Sequence, residues 1–221
     1  MYRRDGPVIL HQLRRALIFT LGLFLMSLGV AVTVRAALGT APISSLPTVL
    51  SLATGLTVGT WVVLFCLVVL AIEILLLRRR FPPVQLLQLP VTFLFGWFVD
   101  LSMAVTWWLE PANYAMQWVW TVVGAVVVAL GVYLEVWPRL TYTPPEGLVT
   151  AITIITRAPF SKVKMIFDWS LVAISALLSL VLMGGLHGVR EGTVFAAFAV
   201  GLVMTVIGNL HERWRVHRRK N

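Results

Sequence analysis

Uninterrupted apolar runs, not short alternations, organise the chain. Six of them are long: Ala16–Val34, Trp61–Leu77, Val84–Leu109, Trp118–Trp137, Met165–Leu186 and Thr193–Leu210. A helix of about 20 apolar residues crosses the hydrocarbon core of a bilayer, so each run predicts a transmembrane helix. Two further apolar segments, Pro42–Leu56 and Pro144–Thr156, are too short to cross comfortably. Each opens at proline, which suits the first turn of a helix because its missing N–H has no partner there. They predict two short re-entrant or interfacial helices. The fold class expected is an all-α membrane protein.

The two halves of the pattern repeat. A shift of 102 residues lays Gly22–Leu77 on Gly124–Ser179 without a gap. Pro42 then meets Pro144, Leu46 meets Leu148, Thr48 meets Thr150 and Thr54 meets Thr156, while Leu28-Gly29-Val30 meets Leu130-Gly131-Val132. Matched prolines and threonines do not follow from hydrophobicity. Each half holds three full spans, and an odd number makes the second half enter from the opposite side. Two inverted three-span repeats are therefore expected, a design shared by many secondary transporters. The divisions are 1–15, a basic N-terminal flank; 16–109, the first repeat; 110–117, an outside connection; 118–210, the second repeat; and 211–221, a basic tail.

Charge sets the orientation. With six spans and a cytoplasmic N-terminus, all of the 18 basic residues except Arg35 and Arg190 lie inside. The inside groups are Arg3/Arg4/Arg14/Arg15, Arg78/Arg79/Arg80, Arg139/Arg157/Lys162/Lys164 and the tail from Arg213 to Lys220. Were both short segments to cross, Arg78–Arg80 and Arg139 would move outside, against the positive-inside rule. Tryptophans such as Trp61, Trp107, Trp108, Trp118 and Trp137 fall near span ends, where an amphipathic ring prefers the interface. Arg14 and Arg15 before Ala16–Val34, with Ala36-Ala37 after it, resemble a signal peptide. The run is long enough to span, however, and is read as an uncleaved first helix. The location expected is the bacterial cytoplasmic membrane with both termini inside.

Composition narrows the function. Only 12% of residues are charged, about half the share in soluble domains, so the net charge of +9 sits beside apolar runs and meets lipid headgroups rather than nucleic acid. The partners expected are the bilayer and a small solute or ion, and a homo-oligomer is compatible with the sequence. Cys66 stands alone, and His11, His187, His211 and His217 lack metal-site spacing. There is no phosphate loop, zinc-binding His pair or nucleophile elbow, so neither an enzyme nor a cofactor is expected.

The candidate binding residues are the costly ones. Asp100 lies deep in the third span, where a charge is expensive, and reads either as a cavity-lining proton or cation carrier or as the partner of a buried base. Asp168 follows Lys164 by four residues on one helix face. Glu146 sits in the first turn of a short helix, where the dipole favours it, and Pro42 opens the matching helix. Gln88 lies in the third span and is a further candidate. Arg35 is an outside base that suits an anion or a lipid phosphate. Thr193 and Glu191, after Arg190, suit the start of the last span. Glu73, one turn before Arg78–Arg80, reads as a snorkelling surface pair. Gly22/Gly29 and Gly124/Gly131 suit close helix packing.

Several motifs together resemble the YczE/YitT-type bacterial membrane proteins, from about Leu21 to Asn209. They are Ala37-Leu38-Gly39-Thr40-Ala41-Pro42, Thr54-Gly55-Leu56-Thr57-Val58-Gly59, Gln88-Leu89-Pro90-Val91, Phe95-Gly96-Trp97-Phe98-Val99-Asp100, Phe160-Ser161-Lys162-Val163-Lys164 with Asp168, and Gly188-Val189-Arg190-Glu191-Gly192-Thr193. Ile43-Ser44 replaces the Trp-Asp pair that many relatives carry after the matching proline. The resemblance implies a multi-pass membrane protein whose biochemical function is not established. Two readings follow: a secondary transporter or channel, or a non-transporting scaffold or accessory factor for an envelope or biosynthetic system. Convergence of Asp100, Glu146 and Gln88 on one cavity favours the first. The topology has its own check: reporter fusions after Arg80 should read cytoplasmic and fusions at Ala112 or Gly188 external, and a periplasmic signal at Arg80 defeats six spans.

Overall fold

The computed structural model describes residues 6–138 and 140–220; Arg3, Arg4 and Arg139 of the charge argument lie outside them. The described residues form eight α-helices and no strand: α1 (Gly6–Ala36), α2 (Pro42–Thr54), α3 (Val58–Leu77), α4 (Gln88–Val105), α5 (Tyr114–Val136), α6 (Pro144–Thr156), α7 (Phe160–Met183) and α8 (Glu191–Lys220). Five of them, α1, α3, α4, α5 and α7, are long and apolar enough to cross a membrane. In α8 the described apolar stretch, Glu191–Val203, is shorter than a span. The outer surface is apolar as well: Leu75, Trp107, Val181 and Leu202 are each about 70% exposed. Such a surface suits lipid, not water. This is the build of a multi-pass integral membrane protein.

Element boundaries follow local chemistry. Proline occupies the first turn of both short helices. Both stop at a left-handed residue, Gly55 at φ 77° and Arg157 at φ 56°, whose N–H returns to Ser51 or Thr153. A brief turn then starts α3 or α7, so each short helix doubles back into a long one. The third long helix starts at Gln88, not at Val84, because Pro82-Pro83 leads a 3₁₀ turn over Pro83–Leu87. Pro90 therefore sits in a first turn and breaks no bond, so it is no kink site.

The centre is the antiparallel pair α1 and α5, which meet through glycines. A Cβ at Gly29 would lie 2.6 Å from the Val128 nitrogen and 2.8 Å from the Gly124 oxygen. One at Gly131 would lie 2.8 Å from the Gly22 oxygen. Only glycine lets the two backbones approach so closely. Around this pair, α4 packs on α1 and α8 packs on α5. The short helices cross over: α2 packs on α7, and α6 packs on α3. Leu23, Met26, Val62, Phe95, Val99 and Val128 fill the adjoining core.

Replacing Gly29 or Gly131 with leucine forces backbone apart from backbone. The loss should be about 1–3 kcal/mol or more, seen as a lower Tm in detergent. Gly201→Ala, where an added Cβ meets no described residue within 4 Å, should be tolerated better. Equal Tm values for the two classes would contradict the close crossing.

Candidate functional site

A cavity of about 860 Å³ lies among the helices, within the size range of small-molecule sites. Its walls are unlike. Met26, Val62, Cys66, Phe95 and Val128 give a buried apolar side. Glu146, Lys164 and Asp168 give a charged one.

The charged side is built by α6 and α7. Pro144 starts α6, which puts Glu146 in the first turn, where helix amides and the dipole favour a carboxylate. Thr143 Oγ1 donates to Glu146 Oε2 across a short bond. Lys164 Nζ reaches Glu146 Oε1 at 3.2 Å and Asp168 Oδ1 at 2.9 Å. The expected four-residue pairing of Lys164 with Asp168 is thus present, and Glu146 joins it. Lys164 also lies 5.9 Å from the centre of the Phe167 ring. A half-buried cation held by two carboxylates has lost much of its water and is compensated by both.

The shift of 102 residues that aligns the halves has a consequence here. It carries Glu146, Lys164 and Asp168 onto Ser44, Val62 and Cys66. All six residues line the same cavity. Corresponding positions therefore face one space, charged in the second half and nearly apolar in the first. Pro42, with Ala41 and Ser44, brings the start of α2 to the same wall.

A second polar layer lies behind α6. Gln88 is fully buried and donates from Nε2 to Glu73 Oε2 at 3.2 Å. Both press on Gly147, where a Cβ would meet Glu73 Oε2 at 2.6 Å and Gln88 Nε2 at 2.8 Å. The snorkelling pair expected for Glu73 is corrected: this carboxyl is fully buried and turned to Gln88, away from Arg78–Arg80. Glu135 was not foreseen at all. It is fully buried in α5 and accepts the Thr143 N–H at 2.7 Å. Its signal was its place four residues after Gly131, on the glycine face of α5.

The other candidates do not join the cavity. Asp100 is corrected on both of its expected roles. Its Oδ1 accepts the Gly59 N–H and its Oδ2 the Thr57 hydroxyl, each at 2.8 Å, so it caps the start of α3 from a neighbouring helix. Arg35 donates from Nη2 to the Met103 carbonyl at 3.0 Å. Arg190, Glu191 and Thr193 form a clasp on the loop before α2. Arg190 Nη1 donates to the Ala37 carbonyl at 3.1 Å and the Gly192 N–H to the Leu38 carbonyl at 2.8 Å. Thr193 Oγ1 accepts the Arg190 N–H at 3.4 Å, the reach-back half of a capping box. Glu191 pairs with Arg190 at 3.2 Å. Its own backbone N–H, then Arg190, hold its carboxyl below the ordinary value. Convergence is therefore split: Glu146 lines the cavity, Gln88 stands behind it, and Asp100 is elsewhere.

Comparison with known proteins gives a family without an activity. The chain is 29% identical over 196 residues to the uncharacterized protein YyaS of Bacillus subtilis (strain 168), covering 88% of this chain and 92% of that one. No solved structure matches it. Residues 13–209 match the family of unknown function DUF6198. Helix order, cavity and charged wall therefore describe a member of a family still lacking a biochemical role: the chain belongs to DUF6198.

Proposed function

We propose that the protein is a secondary transporter of a small solute or ion, with no enzymatic step, and that the central cavity is its binding site. The observation that carries this reading is the Glu146–Lys164–Asp168 cluster on the wall of a cavity shared by both halves. Charges are retained inside a membrane protein at a cost of several kcal/mol, and they mark substrate or ion pathways by default.

The architecture proposed is two inverted repeats of three spans, with α8 as the sixth span, α2 and α6 as re-entrant helices, and both termini in the cytoplasm of a bacterial cell. Three features support it. The bounds of α2 and α6 are the same distance apart at both ends. The packing pairs exchange with the halves: α2 on α7 with α6 on α3, and α1 on α4 with α5 on α8. The central crossing pairs Gly22 with Gly131 and Gly29 with Gly124, as an in-plane two-fold requires. Short helices whose ends meet a central site, between rigid bodies able to rock, are the working parts of alternating access. The YczE/YitT-type likeness of the motifs is compatible with this reading.

Purified protein in proteoliposomes, compared with protein-free vesicles across a panel of small solutes, tests the claim. For any solute accumulated by the wild type, Asp168→Asn and Glu146→Gln should cut uptake about tenfold or more while the protein stays folded. Asp100→Ala should behave in the opposite way, losing a cap worth about 0.5–2 kcal/mol of stability but keeping uptake. A scaffold would show no uptake, and its cluster variants would change stability alone.

A further inference from the structure

The lining of the cavity differs in exposure from one side to the other. Met26, Val62, Cys66 and Val128 are at most 5% exposed, so the side formed by α1, α3 and α5 is closed. Met165 of α7 and Phe198 and Leu202 of α8 line the same cavity yet are 54%, 62% and 69% exposed. The cavity therefore opens between α7 and α8. Those helices meet sparsely among the described residues, whereas α3 and α4, their counterparts in the first half, pack along their lengths. Trp169 and Phe198, with ring centres 5.8 Å apart and edge to face, bridge the gap. Its rim is apolar and lies on the flank of the bundle. A solute using this opening passes through hydrocarbon first, so it must be lipophilic.

The polar end of the cavity selects the sign of the charge. Glu146 and Asp168 share one cation, Lys164. The first turns of α2 and α6 add partial positive charge that falls off within a turn. Among the described side chains of the wall, two carboxylates face one full cation. Across a site with apolar walls this imbalance is poorly screened, and a monovalent cation relieves it. An anion adds to it.

We propose that the cavity binds a lipophilic organic cation that arrives from the bilayer between α7 and α8. Its charged centre lies beside Asp168, and its apolar body lies against Val62, Cys66 and Phe95. The assignment rests on the cavity being the substrate site, and it adds the chemical class and the route. Aromatic faces suit such a ligand, since Phe65, Trp169 and Phe198 also line the space and attract cations through their π-systems.

Tetraphenylphosphonium and tetraphenylborate share a shape and differ in sign. Isothermal titration of the detergent-purified full chain, with the heat of protein-free micelles subtracted, should show saturable binding of the phosphonium. Borate should bind about tenfold more weakly or not at all. Asp168→Asn should weaken phosphonium binding about tenfold or more, while Lys164→Gln should keep or tighten it. These opposite signs are not what general loosening of the fold produces. Preference for borate, no saturable binding of the phosphonium, or equal losses in the two variants at unchanged thermal unfolding overturns the proposal. If Asp168→Asn does not fold, the paired ions and Lys164→Gln still decide. For the route, a nitroxide on Leu202→Cys should be relaxed by lipid-dissolved oxygen rather than by a water-soluble nickel chelate; the reverse rules out the lateral path. Phosphonium binding without uptake would sink the transporter reading and leave this assignment standing. Uptake of an anion without phosphonium binding would do the opposite.

Discussion

The backbone-to-backbone crossing of α1 and α5 is the constraint on which the rest of the molecule depends. In lipid, apolar side chains gain little by leaving the acyl chains for one another, so helices associate through close van der Waals fit and polar contacts. Gly22, Gly29, Gly124 and Gly131 supply that fit, because a Cβ at any of them would collide with the facing helix. The crossing fixes how far apart the two halves stand. That distance in turn leaves room for the short helices and a cavity, and it sets α4 and α8 on the two flanks.

Polar groups inside the bundle follow a second rule, that none is cheap unless another group answers it. The answers come from both near and far along the chain. Lys164 is met by Asp168 one turn away and by Glu146 across the hairpin. Asp100 meets amide and hydroxyl donors at the start of α3. Gln88 meets Glu73, and Glu135 meets the Thr143 amide just before α6. Two helices thus tie the start of α6 by polar contacts, α5 through Glu135 and α7 through Lys164, while Glu73 of α3 packs against Gly147. The start of α2 has fewer such ties; Ser45 and Ser175 share a hydroxyl contact of 2.9 Å there, and Ala41 offers no side-chain cap.

Much of this was legible in the residues, and the failures have a physical cause. Proline at the first turn and the extent of the apolar run gave Pro144–Thr156 to the residue and Pro42–Leu56 to within two. The Lys164–Asp168 pair followed from helical spacing alone. Hidden were the facts that depend on which face a helix turns inward. In α3, Val62, Cys66, Val69, Glu73 and Leu77 form one buried stripe. The helix is apolar all round, however, so no contrast of polarity marks that stripe, and the nearby arginines drew Glu73 to the surface reading. Asp100 was misplaced because its partners, Thr57 and Gly59, lie on another helix and no local pattern joins them. Glu135 shares a face with Gly124 and Gly131, and the glycines were the clue available.

The unlike walls of the cavity carry a further consequence. In a dimer of identical subunits about a two-fold axis, every side chain on one wall has its duplicate on the other. Such an assembly can line its interface with two charged clusters or with none, never with one. A single chain escapes this limit: positions 102 residues apart carry Glu146, Lys164 and Asp168 in one half and Ser44, Val62 and Cys66 in the other. Having both halves in one chain therefore does more than fix stoichiometry. It permits a chamber with one oily side and one ionic side, a polarity that two equal partners could not have built.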